Sequence, residues 1–167
     1  MTTRRGFLIG TAGLAALGAA SGMMSARAAG DATFEVTHSE DEWRKLLTDE
    51  QFAVLREEDT EAPFSSPLND EHRKGTFHCA GCDQALYSSE HKFDSGTGWP
   101  SFWQPIGETA VGYRDDFGFL MQRTEVHCAR CGGHQGHVFD DGPPPTGKRH
   151  CINGVAMTFK PAGNATG

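Results

Sequence analysis

Two short stretches, Phe77-His78-Cys79-Ala80-Gly81-Cys82 and Val126-His127-Cys128-Ala129-Arg130-Cys131, follow the same plan in this chain. In each, an apolar residue and a histidine lead into a Cys-x-x-Cys pair. Two such knuckles supply four thiolates, the ligand set of a tetrahedral zinc site without an open coordination position. We therefore expect one structural zinc ion per chain, bound by Cys79, Cys82, Cys128 and Cys131.

The 45 residues between Cys82 and Cys128 exceed the ~15–20 residues of an ordinary zinc ribbon. The metal would thus join two hairpins that are far apart in sequence. Two disulfides are an alternative, but a knuckle repeated with the same neighbours suits a metal better. A redox pair of the thioredoxin type fits less well, because neither pair opens a helix within a βαβ pattern.

The segments around the knuckles predict a mainly β fold with short helices before it. Two capping boxes, Ser39-x-x-Glu42 and Thr48-x-x-Gln51, start two predicted helices within residues 37–61. After Gly75 the pattern changes to short strands separated by turn residues. We predict strands at Thr76–His78, Ala85–Tyr87, Ala110–Tyr113, Phe117–Val126, Gly136–Phe139 and Arg149–Lys160, with a packed loop over 93–103 and a turn over 141–147.

Length and charge restrict the class of protein. The chain has 167 residues, enough for one domain with a modest core. Its net charge is −7, and residues 1–28 hold three arginines and no acid, so the remainder carries −10. An acidic domain repels phosphate backbones, which argues against nucleic acid as a partner.

Residues 1–28 have the three parts of a twin-arginine export signal: Arg4-Arg5, a weakly apolar run over 7–20, and the small-x-small site Ala26-Arg27-Ala28. The run is shorter and less apolar than the ~20 residues of a membrane span. A chance Arg-Arg before an uncleaved anchor is the alternative. We expect a periplasmic protein, free of the membrane after cleavage, that folds and loads its zinc in the reducing cytoplasm.

These features divide the chain into the signal at 1–28, an N-terminal extension at 29–36, a folded domain at 37–161 and a tail at 162–167. No long apolar patch stands out in the sequence, so we expect a monomer.

Cys151 is the only cysteine outside the two knuckles, in Arg149-His150-Cys151-Ile152-Asn153. In a strand, Arg149, Cys151 and Asn153 would point to one face. A cation beside a thiol lowers the pKa of the thiol and raises the thiolate fraction. A lone cysteine is usually a small buried apolar residue, but the arginine favours a reactive thiol here.

Together these motifs resemble the methionine-R-sulfoxide reductase family, MsrB. The resemblance covers about residues 39–160 and rests on the two knuckles and three further motifs: Gly98-Trp99-Pro100-Ser101-Phe102, His134-x-x-His137-Val138-Phe139-Asp140-Asp141-Gly142-Pro143 and Arg149-x-Cys151-Ile152-Asn153. It implies a fold of two antiparallel sheets with helices at the N-terminal edge. It also implies that the R epimer of methionine sulfoxide, free or in a protein, is reduced to methionine.

The resemblance assigns roles to individual residues. Cys151 would be the nucleophile, and Trp99 would receive the methyl group of the substrate, with Phe139 beside it. The groups around the sulfoxide oxygen would be His134, His137 and Asn153, and the groups that support the site would be Arg149 and Asp141.

These residue types suit the chemistry. A sulfoxide oxygen leaves only when protonated, and histidine titrates near neutral pH. Both histidines could instead be ordinary hydrogen-bonded residues near the zinc, Trp99 could be core, and Asp141 could be only a turn residue.

Many members of that family carry a second cysteine in the Gly-x-Gly-Trp-Pro loop, which resolves the sulfenic acid as a disulfide. Here that position is Thr97. We therefore expect an external thiol, a thioredoxin-like protein or a small thiol, to reduce the sulfenic acid.

Three other functions are compatible with parts of the pattern. A zinc-stapled binding module would not need Cys151. A thiol oxidase needs a dithiol, and only one cysteine is left free. A metal carrier needs an open site, which four thiolates do not provide.

Overall fold

The computed structural model describes residues 34–118 and 122–163. The first elements within these residues are two helices, α1 at Glu40–Leu46 and α2 at Asp49–Glu57. Both predicted capping boxes are confirmed: the Glu42 carboxylate accepts from the Ser39 N–H at 2.8 Å, and the Thr48 hydroxyl accepts from the Gln51 N–H at 3.2 Å. Each box satisfies N–H groups that a helix start otherwise leaves unpaired.

In the part of the chain that the structure describes, nine strands form two antiparallel sheets, which confirms the predicted mainly β fold. The three-stranded sheet has the order β2–β1–β9, and the six-stranded sheet has the order β3–β4–β8–β7–β6–β5. Their bounds are β1 Gly75–Cys79, β2 Ala85–Ser88, β3 Lys92–Phe93, β4 Ser101–Phe102, β5 Val111–Asp116, β6 Arg123–Cys128, β7 His134–Phe139, β8 Arg149–Ile152 and β9 Met157–Pro161.

The prediction of one continuous strand over Arg149–Lys160 is wrong. The strand stops at Ile152, a 3-10 turn occupies Gly154–Ala156, and β9 continues in the other sheet. The buried carboxylate of Glu61 accepts from the N–H groups of Gly154 and Val155 at 2.6 and 2.8 Å. Because these donors are taken by a side chain, they cannot join a strand ladder, and the chain crosses between the sheets at this point.

Other predicted elements differ in their bounds, among them the strand predicted at Ala110–Tyr113, which is β5 at Val111–Asp116. The loop over 93–103 contains the two short strands β3 and β4 at its ends. Strand β6 begins at Arg123 rather than Phe117, and residues 119–121 lie outside the described part of the chain. Strand β7 begins at His134, two residues before the predicted Gly136.

The core lies between the sheets and the helices. Phe77, Tyr87 and Phe102 are fully buried. The Tyr87 and Phe102 rings stack with their centroids 4.3 Å apart, and Phe77 meets Phe102 edge-on at 4.9 Å. Phe102 and Ile152 belong to the six-stranded sheet, so one face of that sheet closes this core. The opposite face of the six-stranded sheet, which we call its free face, is turned away from this core.

The ends of the chain are described only in part. The proposed signal lies outside the described residues, as do residues 29–33 of the extension and 164–167 of the tail. Within the extension, the Val36 N–H donates to the Arg130 carbonyl at 3.0 Å and Glu35 pairs with the Arg130 guanidinium at 2.9 Å. Within residues 34–118 and 122–163, no helix is both long and apolar enough to cross a membrane.

Candidate active site and metal centre

The four knuckle cysteines meet at one point between the two sheets. Their Sγ atoms all lie within 4.8 Å of one another, so they can hold one metal ion. The Cys79–Cys131 and Cys82–Cys128 sulfur separations are 3.7 and 3.5 Å. Zinc–sulfur bonds of about 2.3 Å in a tetrahedron place sulfurs roughly 3.8 Å apart, so the donor set and its spacing fit zinc.

These distances do not fit the disulfide alternative. All five cysteines of the chain are free thiols, and both short sulfur contacts run between the knuckles rather than within one. The surroundings suit negative sulfur ligands. Arg56 donates to Cys131 Sγ at 3.8 Å and Gln135 donates to Cys79 Sγ at 3.6 Å.

Cys151 lies on the free face of the six-stranded sheet. It is a residue of β8, directly opposite His137 of β7 and Ser101 of β4. Directly opposed residues of neighbouring strands project to the same face, so the thiol and the imidazole share it. Gly136 lets the strands come this close, because a Cβ there would lie 2.1 Å from the Cys151 carbonyl oxygen.

The thiol opens into a cleft of about 150 Å³. Of the residues predicted for the site, five line it: Trp99, His137, Phe139, Cys151 and Asn153. Trp99 and Phe139 supply aromatic walls, which suit a methyl group. The cleft is also lined by residues that the sequence did not single out, Thr60, Arg123 and Gly136.

Arg149 is held beside the cleft. Its guanidinium makes two 2.8 Å hydrogen bonds to the Asp141 carboxylate and lies 4.5 Å from the centroid of the Phe139 ring. The charge of Arg149 lowers the pKa of Cys151, as the sequence predicted, and the Thr97 hydroxyl, 3.9 Å from Sγ, also lowers it. Burial is the largest effect, however, and the net result is a raised pKa of the Cys151 thiol.

Thr97 belongs to a short chain of hydroxyl groups. Ser95 Oγ lies 2.8 Å from Thr97 Oγ1 and 2.7 Å from Ser101 Oγ, and the Ser101 hydroxyl donates to the Trp99 carbonyl at 3.1 Å. This network links the loop that carries Trp99 to the strand beside Cys151.

His137 is bound to a carboxylate that the sequence analysis missed. Its Nε2 lies 2.8 Å from Asp116 Oδ2, and the same oxygen accepts from Arg123 Nη2 at 2.6 Å. The pKa of Asp116 is lowered to about 2, chiefly by the N–H of Gly118. Burial lowers the pKa of His137, and Asp116 opposes that shift. The missing signal is the register of the β5–β6 hairpin, which places Asp116 opposite Arg123.

His134 lies behind His137 and is not a lining residue of the cleft. It is buried, its Nδ1 lies 2.7 Å from the buried carboxylate of Glu125, and its ring centroid is 5.3 Å from that of His137. The two histidines are therefore neighbours with different surroundings, and only His137 faces the cleft.

The Asn153 side chain makes two hydrogen bonds within the protein. Its Oδ1 accepts from the Glu61 N–H at 3.1 Å and its Nδ2 donates to the Gln135 carbonyl at 3.1 Å. The residue itself follows β8 rather than belonging to it. The Glu61 carbonyl in turn accepts from the Trp99 indole at 3.2 Å. Glu61, which the sequence analysis missed, thus connects Asn153, Trp99 and the turn between the sheets.

Comparison with known proteins agrees with this arrangement. Residues 47–161 match the model of the SelR domain. Relatives named peptide methionine sulfoxide reductase MsrB include one from Methanosarcina barkeri, 54% identical over 125 residues that cover 75% of this chain and 88% of the relative. Another, from Agrobacterium fabrum, is 51% identical over 127 residues, which cover 76% and 94%. A third, from Bradyrhizobium diazoefficiens, is 54% identical over 127 residues, which cover 76% and 91%.

Proposed function

This chain belongs to the SelR domain family, the MsrB peptide methionine sulfoxide reductases, and on that premise we propose that it reduces the R epimer of methionine sulfoxide to methionine. The observation that carries the proposal is the cleft around Cys151. A half-buried thiol lies in one concave site with two aromatic walls and an imidazole.

The residues divide the work by their chemistry. The methyl group of the substrate lies against Trp99 and Phe139, which brings the sulfoxide sulfur to Cys151 Sγ. Arg149, which is held by Asp141, stabilises the negative charge on Cys151 Sγ as the thiol is deprotonated. His137 carries the proton that the sulfoxide oxygen needs.

The reaction balances within the site. The Cys151 thiolate forms a transient S–S bond to the sulfoxide sulfur while His137 protonates the sulfoxide oxygen. The resulting hydroxyl group passes to Cys151 Sγ, so that the S–O bond of the substrate and the transient S–S bond both break, Cys151 becomes a sulfenic acid and methionine leaves. Two thiols of an external reductant then restore Cys151, and a disulfide and one water form. Cys151 Sγ has no cysteine among its described contacts, and the nearest loop hydroxyl is that of Thr97. We therefore propose a one-cysteine cycle with a thioredoxin-like protein or a small thiol as the donor.

The metal centre has a separate role in this proposal. Zinc held by Cys79, Cys82, Cys128 and Cys131 would connect the two sheets and take no part in the chemistry, because four thiolates leave no open position.

The predicted twin-arginine signal at 1–28 supports repair of oxidised periplasmic proteins as the biological task.

The test is an epimer-resolved assay with a methionine sulfoxide peptide and dithiothreitol. Turnover of the R epimer alone is expected, and equal turnover of both epimers or of neither refutes the proposal. Trapping with dimedone after one turnover is expected to label Cys151. An intramolecular disulfide to a knuckle cysteine would overturn the one-cysteine cycle and leave the substrate assignment intact.

A non-catalytic binding module is the rival, and Cys151→Ser separates the two. If the protein is an enzyme, this change abolishes turnover and leaves the protein folded. If it is a binding module, the variant keeps its binding activity.

A further inference from the structure

We propose that Asp116 is a positioning residue for this reaction, which holds the His137 imidazole with Nε2–H donated to its carboxylate and keeps Nδ1 for the substrate. The inference rests on the proposed function, because it concerns the proton donor of that reaction. It adds a residue from β5, a strand none of whose residues lines the cleft.

The geometry of the carboxylate carries the argument. Asp116 Oδ1 accepts from the Gly118 N–H at 2.8 Å, and Oδ2 accepts from Arg123 Nη2 at 2.6 Å and lies 2.8 Å from His137 Nε2. Two donors besides the imidazole thus fix the group, and an acceptor fixed in this way can bind only a protonated ring nitrogen. The tautomer of His137 follows from the contact.

The second ring nitrogen of His137 is therefore the one that can serve the substrate. Among residues 34–118 and 122–163, no protein group hydrogen-bonds to His137 Nδ1. The ring lines the cleft next to Cys151, while Asp116 does not line it. A group that orients a catalytic imidazole through its far nitrogen is a recurring arrangement, because the two nitrogens are coupled through the ring.

The charge of Asp116 also affects when His137 carries two protons. Burial and the Arg123 cation lower the pKa of His137, and Asp116 raises it. The other titratable or charged groups around the ring are Glu125 opposite it on β6, His134 on its own strand, and Cys151 and Arg149 on β8. Among the charged groups around the ring, Asp116 is the carboxylate in direct contact with the imidazole. Removing its charge therefore removes the main contribution that opposes the lowering of the His137 pKa by burial.

The decisive variant is Asp116→Asn, which keeps an oxygen acceptor for Nε2–H and removes the charge. The proton-donating form of His137 exists below its pKa, so activity is lost as pH rises through that pKa. With the pKa lowered further, the alkaline limb of kcat is expected to move to lower pH. We expect kcat at pH 7 to fall roughly 10- to 100-fold, within the contribution of a general acid, with little change in KM.

The matched control is Glu71→Gln. Glu71 is also an ion-paired carboxylate with a pKa lowered to about 2, held by Arg73 in the loop before β1, and it does not line the cleft. This variant is expected to keep the wild-type kcat and pH profile. A general electrostatic effect of losing one carboxylate would appear in both variants.

Two further measurements make the result specific to His137. Titration of its imidazole by NMR is expected to give a lower pKa in Asp116→Asn than in the wild type, whether or not the protein turns over. In a double-mutant cycle, Asp116→Asn is expected to cost no further activity in a His137→Gln background. If Asp116→Asn fails to fold, Asp116→Glu serves in its place and is expected to retain the wild-type alkaline limb with a reduced kcat.

The outcomes are distinguishable. If the wild type reduces the R epimer and Asp116→Asn has an unchanged alkaline limb and His137 pKa, the positioning role is wrong and the proposed function stands. An additional tenfold loss in the His137→Gln background would also overturn it, since Asp116 would then act elsewhere. If the wild type reduces neither epimer, the proposed function fails, and the NMR titration still decides the contact.

Discussion

The separation of the five cysteines into four metal ligands and one nucleophile can be tested with identical substitutions. Cys128→Ser removes one sulfur from the cluster that joins β1–β2 of one sheet to β6–β7 of the other. The link between Cys82 and Cys128 closes a loop of 46 positions. Treated as a cross-link, a loop of that length restricts the unfolded chain by about 4 kcal/mol. Stabilities of single domains are about 5–15 kcal/mol, so this loss is large.

Cys128→Ser is therefore expected to lose its zinc and at least about 4 kcal/mol of unfolding free energy. Cys151→Ser changes the same atoms outside the cluster and is the control. It is expected to keep one zinc per chain, to change stability by less than about 1 kcal/mol, and to lose turnover. Urea unfolding followed by circular dichroism and metal analysis of the purified variants measure both quantities.

Two results would refute this reasoning. One is a Cys128→Ser protein that keeps the wild-type unfolding free energy after its metal is lost. The other is a Cys151→Ser protein with less than one zinc per chain, which would place the fifth cysteine in the metal centre.

Three further predictions concern the supports of the site and the core. Glu61→Ala leaves the N–H groups of Gly154 and Val155 without their acceptor and is expected to lower the unfolding free energy by roughly 2–4 kcal/mol; a loss below 1 kcal/mol in thermal or urea unfolding would show that the turn does not depend on this carboxylate. Arg149→Met removes a charge that lowers the pKa of Cys151, so the midpoint of thiol alkylation against pH should rise, and an unchanged midpoint would contradict this. Phe102→Ala empties a fully buried position and should cost about 3–5 kcal/mol in urea unfolding, with zinc content unchanged.

Local chemistry explains why much of the fold could be predicted. A capping box needs only four consecutive residues, so Ser39 and Thr48 mark the helix starts without knowledge of the rest of the chain. A Cys-x-x-Cys knuckle is equally local, and its repetition indicates a shared metal. The prediction of a single final strand failed because the turn after Ile152 depends on Glu61, which lies more than 90 positions earlier.

The same distinction applies to the site. Cys151, Trp99, His137 and Phe139 occur in motifs, and the structure places all four around one cleft. The motifs do not show that His134 and His137 have different surroundings, because the groups around each ring depend on which strand lies beside it.

The order of residues along the chain was enough to determine two helices, a mainly β chain, a quartet of cysteines able to hold a metal ion and the single cysteine outside it, because each of these depends on residue types a few positions apart. Tertiary structure alone decided the balance of effects on the Cys151 pKa and the partners of Asn153 and His137. These depend on burial and on strand register, which bring Thr97, Glu61 and Asp116 to the site from distant segments, and no local pattern encodes such distances.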